Sequence, residues 1–107
     1  MLGLINQNHS EAVVSEIHSS TMSIDAGQGV IHSWTATGDE TVNFLNGQAG
    51  MRLRLIITCD ALAHTITLGT GAAGAISSYL LTSLKKSILV LEHDGITFNL
   101  LTTVTNL

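Results

Sequence analysis

The segment Gly69-Thr70-Gly71-Ala72-Ala73-Gly74 comes closest to a chemical motif. It has G-x-G-x-x-G spacing and follows an apolar strand pattern. Asp94 lies about 20 residues beyond the last glycine, where a ribose-binding acid would stand. Dinucleotide binding also needs the third glycine to open a helix whose N-terminus holds the pyrophosphate; residues 75–86 can be drawn as one. Three features oppose it. The preceding strand alternates with threonine, whereas the first strand of a dinucleotide fold is buried on both faces. Asp94 belongs to a hairpin turn with Gly95. The rest of the chain has no alternating strand–helix units. The plainer reading is a glycine-rich loop between antiparallel strands.

Other reactive side chains are scattered. His9, His18, His32, His64 and His93 show no pair at metal-site spacing, and Asp60, Glu92 and Asp94 form no motif with them. Ser19-Ser20 and Ser77-Ser78 suit turns and edges rather than a nucleophile's setting. Cys59 is the only cysteine, so no intrachain disulfide is possible, and it reads as a small buried hydrophobe at a strand end. The sequence therefore predicts no enzyme, with no catalytic, cofactor-binding or metal-binding residue and no cofactor.

Composition narrows the partners. The 107 residues support one domain with one core. Hydrophobic residues make up 45% and charged residues 11%. That is too apolar for a disordered chain and sparse in charge for a free monomer. Part of the outside is expected to lie under other subunits, or else to be a Thr/Ser/Asn-rich β surface. The net charge of −4 leaves Arg52, Arg54, Lys85 and Lys86 as the permanent cations, no stripe for nucleic acid. Arg52 and Arg54 read as solvated or interface residues. No apolar run approaches the roughly 18–20 residues of a membrane helix. The N-terminus has neither the basic nor the apolar region of a signal peptide.

Period-two alternation dominates from Ser19 onward. Strands are expected over 21–24, 30–37, 41–45, 51–58, 64–68, 76–82, 87–93 and 96–101. Turns are expected at 25–29, 38–40, Asn46-Gly47-Gln48-Ala49-Gly50 and Asp94-Gly95. In the clearest strand, Met51, Leu53, Leu55 and Ile57 face the core and Arg52, Arg54 and Thr58 face water. In Ile88-Leu89-Val90-Leu91 both faces are apolar, so each side needs a cover, the second being another subunit or the N-terminal arm. Residues 1–18 read as a separate arm. Asn8 or Ser10 could cap a short helix over 11–18 with Val13, Val14 and Ile17 on one face, or the segment is extended. Trp34 and Tyr79 are core or interface anchors, and Phe44 and Phe98 are core. The fold expected is an all-β antiparallel sandwich, jelly-roll-like, over residues 19–107.

Several phrases in sequence carry a resemblance. They are Asn46-Gly47-Gln48-Ala49-Gly50 followed by Met51 to Ile57, then His64-Thr65-Ile66-Thr67-Leu68-Gly69 with its Gly/Ala loop, Ser87 to Leu91, and His93-Asp94-Gly95-Ile96-Thr97-Phe98. Residues 19–104 resemble a small β-sandwich domain of tailed-bacteriophage structural proteins, among them head-decoration and tail-fibre-type subunits. Phe98 stands where such domains carry an aromatic after the Asp-Gly turn. Ser83-Leu84-Lys85-Lys86 departs from the polar turn expected there, and residues 1–18 fall outside the likeness. The resemblance implies a homotrimer on the virion. The chain is expected to be a capsid decoration or cement protein on the head surface, bound to the major capsid protein or another virion protein. The alternatives are a tail fibre, tip or adaptor component and a carbohydrate-binding host-recognition module. The candidate interface residues are Ile5, Val13, Val14, Ile17, Trp34, Tyr79, Ile88, Leu89, Val90 and Leu91. Neither nucleic acid nor membrane is expected as a partner.

Overall fold

The computed structural model describes residues 12–72, 77–105 and 107; the side chains of residues 77 and 78 are left aside. Its strands are β1 (Val13–Ser15), β2 (Thr21–Asp25), β3 (Ile31–Ala36), β4 (Glu40–Leu45), β5 (Arg52–Cys59), β6 (His64–Leu68), β7 (Ser77–Leu81), β8 (Lys86–His93) and β9 (Phe98–Val104). A 3₁₀ turn over Ala26–Gln28 is its one helical element among the described residues. The strands form two sheets packed as a sandwich. One has five strands in the order β9-β8-β5-β3-β1, the other four in the order β2-β4-β6-β7.

The antiparallel jelly roll is not what forms. Strands β1 to β6 alternate between the sheets, so each sheet stacks them in parallel. The pairs β1–β3 and β3–β5 in one sheet, and β2–β4 and β4–β6 in the other, are all parallel. Only β5–β8, β8–β9 and β6–β7 are antiparallel. The first six strands are therefore successive turns of a flattened coil. Thr21 pairs with Thr41 and Ile24 with Phe44, a rise of about 20 residues per turn, within the range of solenoid repeats. The last three strands close this coil as an antiparallel cap.

Alternation places the core. Leu53, Leu55, Ile57 and Cys59 of β5 point inward and are buried, while Arg52 and Arg54 point outward. Met22 and Ile24, Val42 and Phe44, and Ile66 and Leu68 fill the facing layer. Parallel registry stacks like on like, with Ile24 over Phe44 and Trp34 beside Ile57. Phe98 closes the end of the core, its ring centroid 5.4 Å from Phe44 and 4.8 Å from His93. Burying a side chain such as Leu55 contributes about 1.5–3 kcal/mol.

Of the two readings of residues 11–18, a short helix or an extended segment, residues 13–15 take the extended one. They are extended and lie in the five-stranded sheet beside β3, so the sheet begins before residue 19. A Val-Val-Ser run is poor helix material and good strand material, and a neighbouring edge decides. Asn8 and Ser10 lie outside the described residues. Glu40, expected in a loop, opens β4. Ile96, expected in the last strand, is exposed in the preceding turn. There Gly95 has φ of 101°, and Asp94 Oδ1 accepts from the backbone N–H groups of Ile96 at 2.8 Å and Thr97 at 2.9 Å. In the 83–86 turn Leu84 takes φ of 61°, a region that usually falls to glycine or asparagine.

Candidate functional site

Two surfaces stand out, and the first is the outer face of the five-stranded sheet. Pairing brings its outward side chains into rows. Val13 lies beside Ile31, Ile31 beside Arg54, Arg54 beside Val90, and Val90 beside Thr102. The next row runs Ser33, Ile56, Ile88 and Val104. Ile31, Ile56, Ile88 and Val90 are half-buried by their neighbours, and Val13 and Val104 are 52% and 44% exposed. A shallow groove of about 470 Å³ runs along Ile31, Arg52, Arg54, Val90 and Thr102. Arg52 Nε donates to Glu92 Oε2 at 3.2 Å; both side chains are exposed, so the pair adds little. An apolar strip crossed by an arginine matches the composition of protein interfaces better than that of a solvated face.

The second surface is the corner where the chain passes from the five-stranded to the four-stranded sheet. It does so at residues 16–20, 37–39 and 60–63, and stacking brings the three passages together. Glu40 is buried beneath them with no side-chain exposure. Trp34 Nε1 donates to its Oε1 at 2.9 Å and Oε2 at 3.1 Å, and His18 Nδ1 stands 2.5 Å from Oε2. A buried carboxylate persists only with such partners. Nearer the surface of the same corner, His64 Nε2 lies 2.7 Å from Asp60 Oδ1, which also accepts from Leu62 N–H at 3.0 Å. The Leu62 amide, with help from His64, holds the Asp60 carboxyl below the ordinary range. Asp39 lies 3.8 Å from the other ring nitrogen of His64. Cys59 Sγ donates to Leu62 O at 3.0 Å, and burial pushes its thiol up. A depression of about 460 Å³ opens alongside, lined by Ser20, Asp39, Glu40, Thr41, Thr65 and Thr67.

His32 works further along the coil. It is fully buried, with Nδ1 2.7 Å from Glu16 Oε2 and Nε2 2.8 Å from Gly29 O. The carbonyl can only accept, so Nε2 carries a proton. Together with the Glu16 N–H donating to Ser33 O at 2.9 Å, this ties the segment after β1 to β3.

The candidate interface residues divide. Ile88, Val90 and Val13 share the outer strip. Leu89, Leu91 and Trp34 do not: all three are buried in the core. With both faces of β8 apolar, alternation cannot say which face turns inward; pairing with β5 aims Leu89 and Leu91 at the second sheet. Val14 is half-buried, Ile17 is 89% exposed beyond β1, and Ile5 lies outside the described residues. Tyr79 is half-buried against the core. With Trp34 inside, a sugar-stacking platform loses one of its two aromatics.

The glycine loop leads into strand β7, not a helix, although residues 73–76 lie outside the described set. Gly71 has φ of 88°, and a Cβ there would fall 2.7 Å from Phe44 O. Gly69 and Gly71 thus fit backbone packing, and Thr70 O accepts from Phe44 N–H at 2.8 Å. Asp60 was expected to form no motif with any histidine, yet it pairs with His64. The signal was the run from Cys59-Asp60 to His64, a strand end and a strand start joined by a short turn.

Among the described residues no helix is long and apolar enough to cross a membrane. No family model matches the chain, and no curated protein matches it either.

Proposed function

We propose that this chain is a non-enzymatic structural subunit that works by associating with copies of itself in a tailed-bacteriophage virion. The observation that carries self-association is the outer strip of Ile31, Ile56, Ile88 and Val90, continued by Val13 and Val104. The sequence resemblance supplies the virion setting, with a capsid decoration or cement role on the head and a trimer as the assembly. A second copy suits the strip because its apolar side chains span all five strands. Around a three-fold axis the contacts are heterologous, each subunit offering the strip to a different surface of its neighbour. Area alone does not fix affinity, so the side chains at the centre, Ile88 and Val90, decide it.

The experiment replaces Ile88 and Val90 together by Asp. Light scattering after size exclusion should read a trimer for the parent chain and a monomer for the variant, with unchanged circular dichroism. An unchanged oligomer in the variant, or a monomeric parent, rejects the reading. The parallel coil favours a second placement, in a tail fibre or tip, because stacked coils extend along one axis as a shaft does. Labelled particles viewed by electron microscopy separate head from tail.

A further inference from the structure

We propose that the corner formed by Cys59, Asp60 and His64 is a zinc site, with Asp39 orienting the histidine from outside the coordination sphere. The thiol sulfur, a carboxylate oxygen and an imidazole nitrogen all lie within 4.8 Å of one another. A tetrahedral zinc with these donors sets them roughly 3.3–3.8 Å apart. Side-chain movements of about 1 Å close the trio around an ion, leaving the fourth position to water.

The backbone around the trio is already fixed. Cys59 N–H donates to Lys85 O at 2.9 Å, Asp60 N–H to Ala36 O at 3.2 Å, and Leu84 N–H to Asp60 O at 2.8 Å. The site is therefore pinned from β3 and from the turn before β8. Metal-bound histidines usually donate their second N–H to a carboxylate or carbonyl. Asp39 is placed for this: it lies 3.8 Å from His64 Nδ1, and its Oδ1 is held by Thr65 N–H at 2.9 Å. A sulfur, nitrogen and oxygen set selects a borderline cation such as zinc over magnesium or calcium, which take oxygen alone.

The proton changes follow from the hydrogen bonds. In the metal-free chain His64 Nε2 and Asp60 Oδ1 share a hydrogen bond of 2.7 Å. Zinc takes the Nε2 lone pair, and the ring proton sits on Nδ1, facing Asp39. The Cys59 thiol loses its proton to solvent as the Zn–S bond forms, and the S–H contact to Leu62 O is given up. One proton is released per ion, with no change in oxidation state. A zinc-bound cysteine sulfur is a thiolate, and the ion supplies the charge that makes it stable. This inference does not rest on the virion reading.

The test titrates the purified full chain, kept reduced, with Co²⁺ and then Zn²⁺. One equivalent of Co²⁺ should produce a near-ultraviolet thiolate-to-cobalt charge-transfer band, which zinc then abolishes. Cys59→Ser should lose the band, and His64→Gln should weaken zinc binding at least about 100-fold. Asp39→Asn, at an exposed side chain that leaves the core intact, should weaken it about tenfold and keep the band. Zinc should raise the melting temperature of the parent and of Asp39→Asn but not of Cys59→Ser. A parent chain without the band, or zinc affinity equal in the parent and Cys59→Ser, overturns the proposal. Unchanged affinity in Asp39→Asn removes the orienting role of Asp39.

Discussion

The two corners of the coil perform the same task with opposite chemistry. Both carry the chain between the sheets. One corner, at 16–20, 37–39 and 60–63, is built from His18, Asp39, Glu40, Asp60 and His64. The other carries it back at 26–30 and 46–51 and is flanked by 69–72, which leads on within the four-stranded sheet; it is built on Gly27, Gly29, Gly47, Gly50, Gly69 and Gly71. The glycine corner turns chiefly where side chains are absent, with Asp25 Oδ1 accepting from Gly27 N–H at 2.8 Å and from Asn46 Nδ2 at 2.7 Å. A Cβ on Gly47 would lie 2.4 Å from the His93 ring and one on Gly69 2.4 Å from Asn43 Oδ1. The titratable corner turns because side chains are present and hydrogen-bonded. Steric turns are indifferent to solution conditions; turns held by ionisable groups are not.

The sharpest way to break the comparison is Gly71→Ala. Its φ of 88° and the approach to Phe44 O leave no room for a methyl group. The expected loss is about 3 kcal/mol, combining left-handed backbone strain with overpacking, read by chemical denaturation. A loss under about 1 kcal/mol would show that the glycine corner relaxes, and its supposed steric rigidity would fail.

At the other corner, Trp34→Phe removes the N–H that Glu40 accepts while keeping a ring in the core. The expected loss is about 1–3 kcal/mol, the cost of an underpaired buried acceptor. A neutral result would mean that His18 alone satisfies Glu40. Smaller still is the acid response of the exposed Asp94 hairpin, which abuts the glycine corner through the bond from Gly50 N–H to His93 O. The Thr97 and Ile96 amides, then the Asn99 side chain, hold Asp94 down to about 2, from 3.8. A folded value below the unfolded one means stability present above about pH 4 and lost as the pH falls toward 2. Asp94→Asn should lessen the dependence of the denaturation midpoint on pH across that window. An identical slope in both proteins would locate acid sensitivity elsewhere, with Asp60 and Asp25 the next carboxylates held low.

Strands were legible because period two needs only neighbours in sequence. The clearest, Met51 to Thr58 and His64 to Leu68, fell where the alternation placed them. Partners were not legible in that way, since alternation is the same in a parallel and an antiparallel strand. The missed signal was a recurrence. Thr21-Met22-Ser23-Ile24 and Thr41-Val42-Asn43-Phe44 pair residue for residue, and each leads three residues on to a glycine, at Gly27 and Gly47. Read as one repeated unit, these segments announce a coil. The outer strip was half legible for a related reason: a strand apolar on both faces hides which residues turn inward, so Leu89 and Leu91 were grouped with Ile88 and Val90. The metal trio depends on a turn folding His64 back onto Asp60, and its donors are of different residue types.

Strand β5 pairs with β3 in parallel on one side and with β8 in antiparallel on the other. It is the seam between a part that can be lengthened and a part that stops it. Inserting a further unit of about 20 residues before β5 would add one storey without disturbing the lid, since each storey touches only those above and below. The height of this molecule is thus a quantity that duplication can change in whole steps, while its closing end stays the same.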